Sequence, residues 1–280
     1  MTISIKPIAG ALGAEVAGVD LSRPLSDGAI GEIRAALLEN LVIFFHDQHL
    51  TPEQHLAFGR RFGALQIHEF VEAMEGYPEI LEVRKEAEEK RNFGGGWHTD
   101  VSYLERPSLG SVLYALDVPD HGGDTMFANQ YLAYEALSDG MKRMLEGMTA
   151  IHSARRPYGP NAARAHDYGP SSMHFIFSEA AHAEIEHPVV RTHRETGKKA
   201  LYVNRTFTLR FKDMTEEESA PLLHYLCEHA VRPEFTCRFR WQPNSIAFWD
   251  NRCVQHNAIN DYHGQRRILH RVTIEGERPA

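Results

Sequence analysis

The stretch QRRILHRVTI, residues 265–274, repeats its residue types every second position, which is typical of a β-strand. One face of this strand would carry Arg267, Leu269, Arg271 and Thr273. The opposite face, with Ile268, Val272 and Ile274, is suited to packing. The two arginines are therefore predicted to point into a barrel, about 13 Å apart by strand rise. Buried guanidinium groups need anionic partners, either internal Asp and Glu side chains or bound anions.

Short β-rich runs make up much of the remaining chain, separated by Gly, Pro, Asn and Asp. The runs are LVIFF, EILEVR, GSVLYAL, TMFA, HPVVRTH, ALYVN, FTCRFRW and SIAFWD. Many short strands without a βαβ rhythm predict a mainly β protein with flanking helices and a jelly-roll or barrel core. We expect a single domain over residues 1–280, with residues 155–187 as a long loop that covers the active site. The charged run at 84–91 is expected to be a solvated connection.

Three helices are indicated by their capping residues. Thr51, followed by Pro52 and by Gln54, predicts one helix that ends at Gly63. A second begins at Ser26 or Asp27, and a third begins at Thr215, with Glu218 completing a capping box. Thr196 and Gly197 predict a hairpin turn between two strands.

The composition argues against several kinds of partner. A formal net charge of −8, with scattered basic residues, would repel a phosphate backbone, so no nucleic acid is expected. The apolar run LVIFF is far short of a membrane span, and the N-terminal residues lack a signal-like apolar stretch, so no membrane is expected. The chain has three cysteines and no C-x-x-C pair, which favours reduced thiols and a cytoplasmic location.

A candidate metal site begins in GGGWHTDVSY, residues 94–103, which contains His98 and Asp100. Residues two apart in a strand point to the same face, so both side chains can chelate one ion. A chain with 17 histidines contains such pairs by accident, and two polar residues at a strand end remain the alternative. FWDNRCVQHN, residues 248–257, offers His256 as a third ligand. Two His and one carboxylate form the facial set associated with non-haem Fe(II) oxygenases.

These segments together resemble the taurine/2,4-D dioxygenase family of Fe(II)- and 2-oxoglutarate-dependent enzymes. The matching segments run nearly end to end: GALGAEVAGVDLSRPLS, WHTDVSY, HGGDT, HPVVRTH, ALYVN, WDNRCVQH and DYHGQRRILHRVTI. The ligands, Thr125 and both arginines occur in the order and spacing that the family uses.

The resemblance implies a double-stranded β-helix fold and a dioxygenase that hydroxylates its substrate while converting 2-oxoglutarate and O2 to succinate and CO2. His98, Asp100 and His256 would bind Fe(II) as the catalytic centre. Thr125 and Arg267 would hold the distal carboxylate of 2-oxoglutarate. Family members are often dimers or tetramers, which implies a homo-oligomer.

The substrate implied by the resemblance is a small organic anion: a sulfonate, a sulfate ester or an aryloxyalkanoate. Arg271 resembles the family's substrate-anion arginine, and His68 and Phe207 fall where taurine enzymes contact their substrate. Val71 and Gly94 stand where those enzymes carry a tyrosine and an asparagine, which predicts a larger, less polar pocket and a bulkier anion than taurine. Hydroxylation next to a sulfur or oxygen leaving group would then cleave the C–S or C–O bond.

Two other functions use part of the same pattern. A metal-dependent hydrolase would place the three ligands around Zn²⁺ with a bound water, but it does not account for Thr125 and Arg267. A non-catalytic jelly-roll binding protein would need no complete set of metal ligands.

Overall fold

Two facing sheets, antiparallel except where β2 pairs with β3, form the centre of the molecule. The computed structural model describes residues 3–163 and 171–280. Its strands are β1 (Ser4–Pro7), β2 (Ala14–Ala17), β3 (Val42–Phe45), β4 (Leu65–Gln66), β5 (Ile80–Lys85), β6 (Gly110–Asp117), β7 (Thr125–Asn129), β8 (Thr149–His152), β9 (Ile185–Pro188), β10 (Val190–Thr192), β11 (Lys199–Leu201), β12 (Thr208–Phe211), β13 (Thr236–Phe239), β14 (Ile246–Asp250), β15 (Val254–Ala258) and β16 (Arg267–Ile274).

The large sheet has the strand order β1-β2-β3-β14-β6-β16-β4, with β5 also paired to β16. A smaller sheet, β13-β7-β15, lies over it. Contact between the two is direct: the ring of Phe44 on β3 stacks on Phe239 of β13 at 4.0 Å and meets Phe127 of β7 at 5.7 Å. Sheets that pack face to face around one apolar layer form the jelly roll, or double-stranded β-helix, so the predicted fold class is confirmed.

Helices cover the outside of the sheets. They are α1 (Asp27–Asn40), α2 (Pro52–Arg60), α3 (Gln130–Glu135), α4 (Asp139–Leu145), α5 (Arg155–Tyr158) and α6 (Glu216–His229). In the described part of the chain, no helix combines the length and apolar character that a membrane crossing requires.

The three helices predicted from their caps are present. Ser26 caps α1, and both Thr51 and Thr215 form complete capping boxes, at α2 and α6. The hairpin also forms, because β10 and β11 pair on either side of Gly197, whose φ is 70°. Helix α2 ends at Arg60, before the predicted stop at Gly63.

Two segments are more ordered than the sequence suggested. Residues 84–91 begin inside β5, and Lys85 is buried beneath the ring of Tyr262 rather than solvated. Residues 155–187 contain α5, a 3-10 turn at Glu179–His182 and β9, while positions 164–170 lie outside the described residues. The role of that segment as a cover stays a prediction.

Candidate active site

Two histidines meet at one point because their backbones pair. His98 and His256 form an isolated antiparallel bridge, with N–H to O=C bonds of 3.1 Å and 2.8 Å. Residues that exchange both bonds carry their side chains on the same side of the ladder, and the two imidazole rings are 4.2 Å apart. His256 belongs to β15, whereas Asp100 follows His98 in a turn. The expectation that His98 and Asp100 share a strand is therefore wrong, since Val101, at φ 46°, bends the chain there.

Asp100 nevertheless reaches both histidines. Its Oδ1 lies 3.7 Å from Nε2 of His98 and 3.9 Å from Nε2 of His256. Ligand atoms of the three residues lie within 4.8 Å of one another, and all three residues are buried. The structure thus brings together the three ligands proposed from the sequence.

Neighbouring side chains fix the Asp100 carboxylate. Ser111 donates from Oγ to Oδ2 at 2.8 Å, and Asn251 donates to the same oxygen at 3.4 Å. Arg271 donates from Nη1 to Oδ1 at 2.7 Å. Burial raises the pKa of Asp100, but Arg271 and the two histidines outweigh burial and hold the pKa well below its usual range. The carboxylate is therefore ionised and oriented.

The imidazoles present the protonation states that a metal needs. The Nδ1 of His98 lies 2.8 Å from the carbonyl of Gly96, which can only accept, so Nδ1 carries the proton and Nε2 the lone pair. Burial lowers the pKa of His256 to about 3, so its ring is neutral. Two neutral imidazoles and one carboxylate are a donor set that fits Fe(II).

A second buried cluster contains His193, Asp250 and Cys253. It has potential metal ligands too, but its His and Asp atoms are already engaged in hydrogen bonds. Backbone N–H groups of the hairpin turn donate to Nδ1 of His193, so Nε2 carries the proton and donates to Asp250 at 3.1 Å. Arg252 binds both oxygens of Asp250, at 2.8 Å and 2.7 Å. With its lone pairs engaged, this cluster is a structural network, and Cys253 is buried in the core.

Thr125 and Arg267 meet around the indole of Trp241. The Nε1 of Trp241 donates to Oγ1 of Thr125 at 2.9 Å, which leaves the threonine hydrogen for another acceptor. The guanidinium of Arg267 lies 5.7 Å from the Trp241 ring and 5.9 Å from the Tyr262 ring. Arg267 is 3% exposed, and its Nε and Nη2 have no hydrogen-bond partner among the described residues. A buried cation with unpaired donors is a binding site for an anion such as a carboxylate.

Two glycines before Thr125 shape the turn that delivers it. Gly122 and Gly123 have φ values of 77° and 70°. A Cβ on Gly122 would lie 2.9 Å from the backbone oxygen of Asp261, so the close approach of two chain segments also requires glycine there.

A cavity of about 330 Å³ adjoins His98. Its lining residues are Arg91, Phe93, Gly94, Gly95, His98, Arg156, Pro157, Tyr158, Ala163, Arg205, Thr206 and Phe207. Phe207 stands 6.2 Å from the His98 ring, and Arg271 reaches the cavity wall at Phe93, with 5.7 Å between guanidinium and ring. Two of the three predicted substrate residues, Phe207 and Arg271, therefore lie beside the candidate metal ligands.

His68 lies within charge–charge range of Arg271 and Asp100, and its role in substrate binding stays a prediction. His68 does not line the cavity itself. Its ring packs edge-on against the ring of the lining residue Tyr158, with 5.6 Å between the ring centres. Of the two replacements noted in the sequence, Gly94 lines the cavity, whereas Val71 is buried in the hydrophobic core. Gly94, Pro157 and Tyr158 all line the cavity, and a pocket less polar than that of taurine enzymes stays a prediction.

Several site residues carried no usable signal in the sequence. Ser111 and Asn251 hold Asp100, Trp241 holds Thr125, and Tyr103 packs against Phe207 at 5.0 Å. Only the segment WDNR, at the end of β14, placed Asn251 near a predicted ligand, and nothing in it indicated a hydrogen bond to Asp100.

A jelly roll that carries two histidines and a carboxylate, together with a buried arginine whose Nε and Nη2 find no partner in the described part of the chain, is typical of the non-haem metal oxygenases. Within that class, the chain belongs to the taurine catabolism dioxygenase TauD, TfdA family, whose sequence model matches residues 4–273. The resemblance inferred from the motifs is thereby confirmed.

The relatives agree with this assignment. The chain is 36% identical to an alkylsulfatase of Acinetobacter baylyi, over 98% of this chain and 86% of the relative. It is 35% identical to an alpha-ketoglutarate-dependent sulfate ester dioxygenase of Pseudomonas putida, over 100% of this chain and 92% of the relative. A taurine dioxygenase structure from Burkholderia xenovorans matches with a TM-score of 0.82 at 37% identity, covering 99% of this chain and 91% of that one. The protein is an enzyme of the 2-oxoglutarate-dependent dioxygenase class, which works with Fe(II), 2-oxoglutarate and O2.

Proposed function

We propose that this enzyme hydroxylates a small organic anion with an apolar body, foremost an alkyl sulfate ester, at the carbon that bears the ester oxygen. His98, Asp100 and His256 hold Fe(II), and Thr125 with Arg267 holds the distal carboxylate of 2-oxoglutarate. The observation that carries the proposal is the approach of Asp100 Oδ1 to both imidazole Nε2 atoms, at 3.7 Å and 3.9 Å, in a buried site. Bound Fe(II) supplies the activation of O2 and the oxidation of 2-oxoglutarate to succinate and CO2.

The protein side chains provide binding and orientation. Arg267 pairs with one carboxylate of the keto-diacid, and Arg271 is placed to attract the substrate anion, because its Nε has no partner among the described residues. Phe207 and Tyr158 supply an apolar wall that excludes water from the reacting carbon. The body of the substrate fills the cavity along this wall.

Bond cleavage follows from hydroxylation. An alkyl sulfate hydroxylated at the ester carbon carries O–H and O–SO3⁻ on one carbon. Loss of the hydroxyl proton forms the C=O bond and expels sulfate through cleavage of the C–O bond, so the products are an aldehyde and inorganic sulfate. A sulfonate would release sulfite by the corresponding C–S cleavage. The similarity to the alkylsulfatase and to the sulfate ester dioxygenase supports the sulfate ester as the leading substrate class.

Anaerobic spectroscopy tests the metal and cosubstrate site. Fe(II) with 2-oxoglutarate is expected to give a visible charge-transfer band with the unaltered protein and none with Asp100→Ala. Asp117→Ala, which removes a surface carboxylate paired with Arg266, is the control that keeps the band. A hydrolase would show no such band and would release sulfate without O2.

A substrate panel tests the reaction. Alkyl sulfates, alkyl sulfonates, aryloxypropionates and taurine are compared by kcat/KM, with succinate and the released fragment measured together. We expect an alkyl sulfate to give the highest kcat/KM. A dominant rate with taurine would contradict the proposed substrate class.

Three further properties are proposed. A homo-oligomer, dimer or tetramer, is supported by the family resemblance alone, and light scattering tests it. A single domain acting in the cytoplasm is supported by chain length and by the free state of Cys227, Cys237 and Cys253.

A further inference from the structure

Tyr103 is fixed between the cavity wall and the core. It follows Asp100 by three positions and is 5% exposed. Its ring packs against Phe207 at 5.0 Å, Phe70 at 5.7 Å and Tyr158 at 6.4 Å. Contacts on three sides leave the ring one position, so the direction of its hydroxyl is set by packing.

The hydroxyl of Tyr103 is buried without a hydrogen-bond partner among residues 3–163 and 171–280. Buried phenol groups are normally hydrogen-bonded, because an unpaired O–H loses its contact with water and gains nothing in return. A phenylalanine would fill the same space without that penalty. The hydroxyl therefore indicates an acceptor that is brought by a bound molecule.

The surroundings keep this hydroxyl protonated and place it near the charged side chains of Arg271 and Glu69. Burial raises the pKa of Tyr103 well above its ordinary value, and Tyr158 and Glu69 act in the same direction, while Arg271 opposes them. The Nε of Arg271 is a second donor that has no partner among residues 3–163 and 171–280. Two such donors, the neutral hydroxyl of Tyr103 and the charged guanidinium of Arg271, thus lie near the proposed metal ligands and beside the cavity wall.

We propose that Tyr103 is a specificity-determining residue, whose hydroxyl donates to one oxygen of the substrate's anionic head while Arg271 binds the others. This inference rests on the proposed function. A sulfate ester or sulfonate head has three terminal oxygens, whereas a carboxylate has two. A guanidinium can bind two oxygens side by side, and the third then needs a separate donor. Tyr103 thereby favours tetrahedral sulfur oxyanions over carboxylates of the same chain length.

Tyr103→Phe tests this assignment, because it removes one oxygen and keeps the ring. We expect kcat/KM for an alkyl sulfate to fall roughly 10- to 100-fold, mainly through KM, and that for the chain-matched carboxylate to change less than threefold. The anaerobic charge-transfer band with 2-oxoglutarate should be unchanged. The melting temperature of the ligand-free variant should equal or exceed that of the unaltered protein, since an unpaired buried group is lost.

Tyr202→Phe is the matched control. Tyr202 is also buried with a hydroxyl lacking a partner among the described residues, but it packs against His152 and His187, away from the cavity lining. The kcat/KM of Tyr202→Phe should stay unchanged for both the alkyl sulfate and the carboxylate. The inference would be overturned if Tyr103→Phe lowered kcat/KM equally for the alkyl sulfate and the carboxylate, or lowered neither. An unaltered protein that forms no succinate with any sulfur oxyanion would instead overturn the proposed function.

Discussion

The two oxygens of the Asp100 carboxylate have different surroundings. Oδ2 accepts from Ser111 and Asn251, while Oδ1 faces the histidines and Arg271. Asn251 is itself held, because Trp249 donates to its Oδ1 at 2.9 Å. This chain of bonds decides which oxygen is presented to a metal.

Asn251→Ala is expected to weaken metal binding by about 10- to 100-fold, because residues that orient ligands have effects of this size. Titration of the protein with Mn(II), followed by magnetic resonance, measures the affinity directly. Asn40→Ala removes an amide that donates to the carbonyl of Ala36 within α1, and it serves as the control. Equal metal affinity in the two variants would show that Asn251 does not orient Asp100.

The sequence could identify candidate ligands but not the groups that hold them. His98, Asp100 and His256 were recognisable by residue type and order. Asn251 donates to Asp100 from 151 positions away, and such a bond depends on side-chain rotamers that no local pattern encodes. The bend at Val101 was also missed, because a positive φ is not expected of valine, and Asp100 was therefore placed in a strand.

At the scale of elements, the start of β6 is a tight junction beside the site. Gly110 pairs with Asp250 of β14 and with Ile274 of β16. A Cβ at Gly110 would lie 2.6 Å from the backbone oxygen of Trp249 and 3.0 Å from the ring of Phe248. Neither the backbone oxygen nor the buried ring can move away without shifting the strand.

Gly110→Ala is therefore expected to lower the free energy of unfolding by about 1–3 kcal/mol, the usual range for an overpacked core. Urea denaturation measures the change. Gly31→Ala provides a control of opposite sign, since Gly31 lies inside α1 with open space around its Cβ position. That variant should gain about 0.5–1 kcal/mol. A loss in both variants would contradict the steric explanation.

Elements with complete local signals were predicted well from the sequence. The capping boxes at Thr51 and Thr215 begin helices as expected, and the β-rich runs form strands. Helices α3 and α4 were missed, because they have 6 and 7 residues and too few turns for a helical period. Their caps, Asn129 and Ser138, were visible but were not followed by a long apolar pattern.

For the molecule as a whole, buried histidines set the response to acid. Burial lowers the pKa of His55 to about 3, and burial lowers that of His187 to about 4. In the unfolded chain such groups bind a proton near pH 6.5. The unfolded state therefore takes up protons first, so their contribution to stability is complete above pH 6.5 and is lost as the pH falls towards 3–4.

His55→Gln is expected to make the free energy of unfolding fall less steeply between pH 6.5 and pH 4. The slope should decrease by up to about 1.4 kcal/mol per pH unit. Glutamine keeps a donor for the carbonyl of Val112, which His55 contacts at 3.2 Å, but it does not titrate. Urea midpoints across this range measure the slope. Thr51→Ala, which removes the cap of the same helix, should lower stability by about 1 kcal/mol at every pH and leave the slope as it is. Parallel curves for His55→Gln and the unaltered protein would refute the assignment.

The backbone bridge between His98 and His256 also affects how the protein is made. During synthesis on the ribosome, His98 and Asp100 emerge long before β15 does, so a nascent chain lacks the third candidate ligand. The complete set can therefore come together only after β15 has been translated and the bridge has closed the long loop between the two histidines.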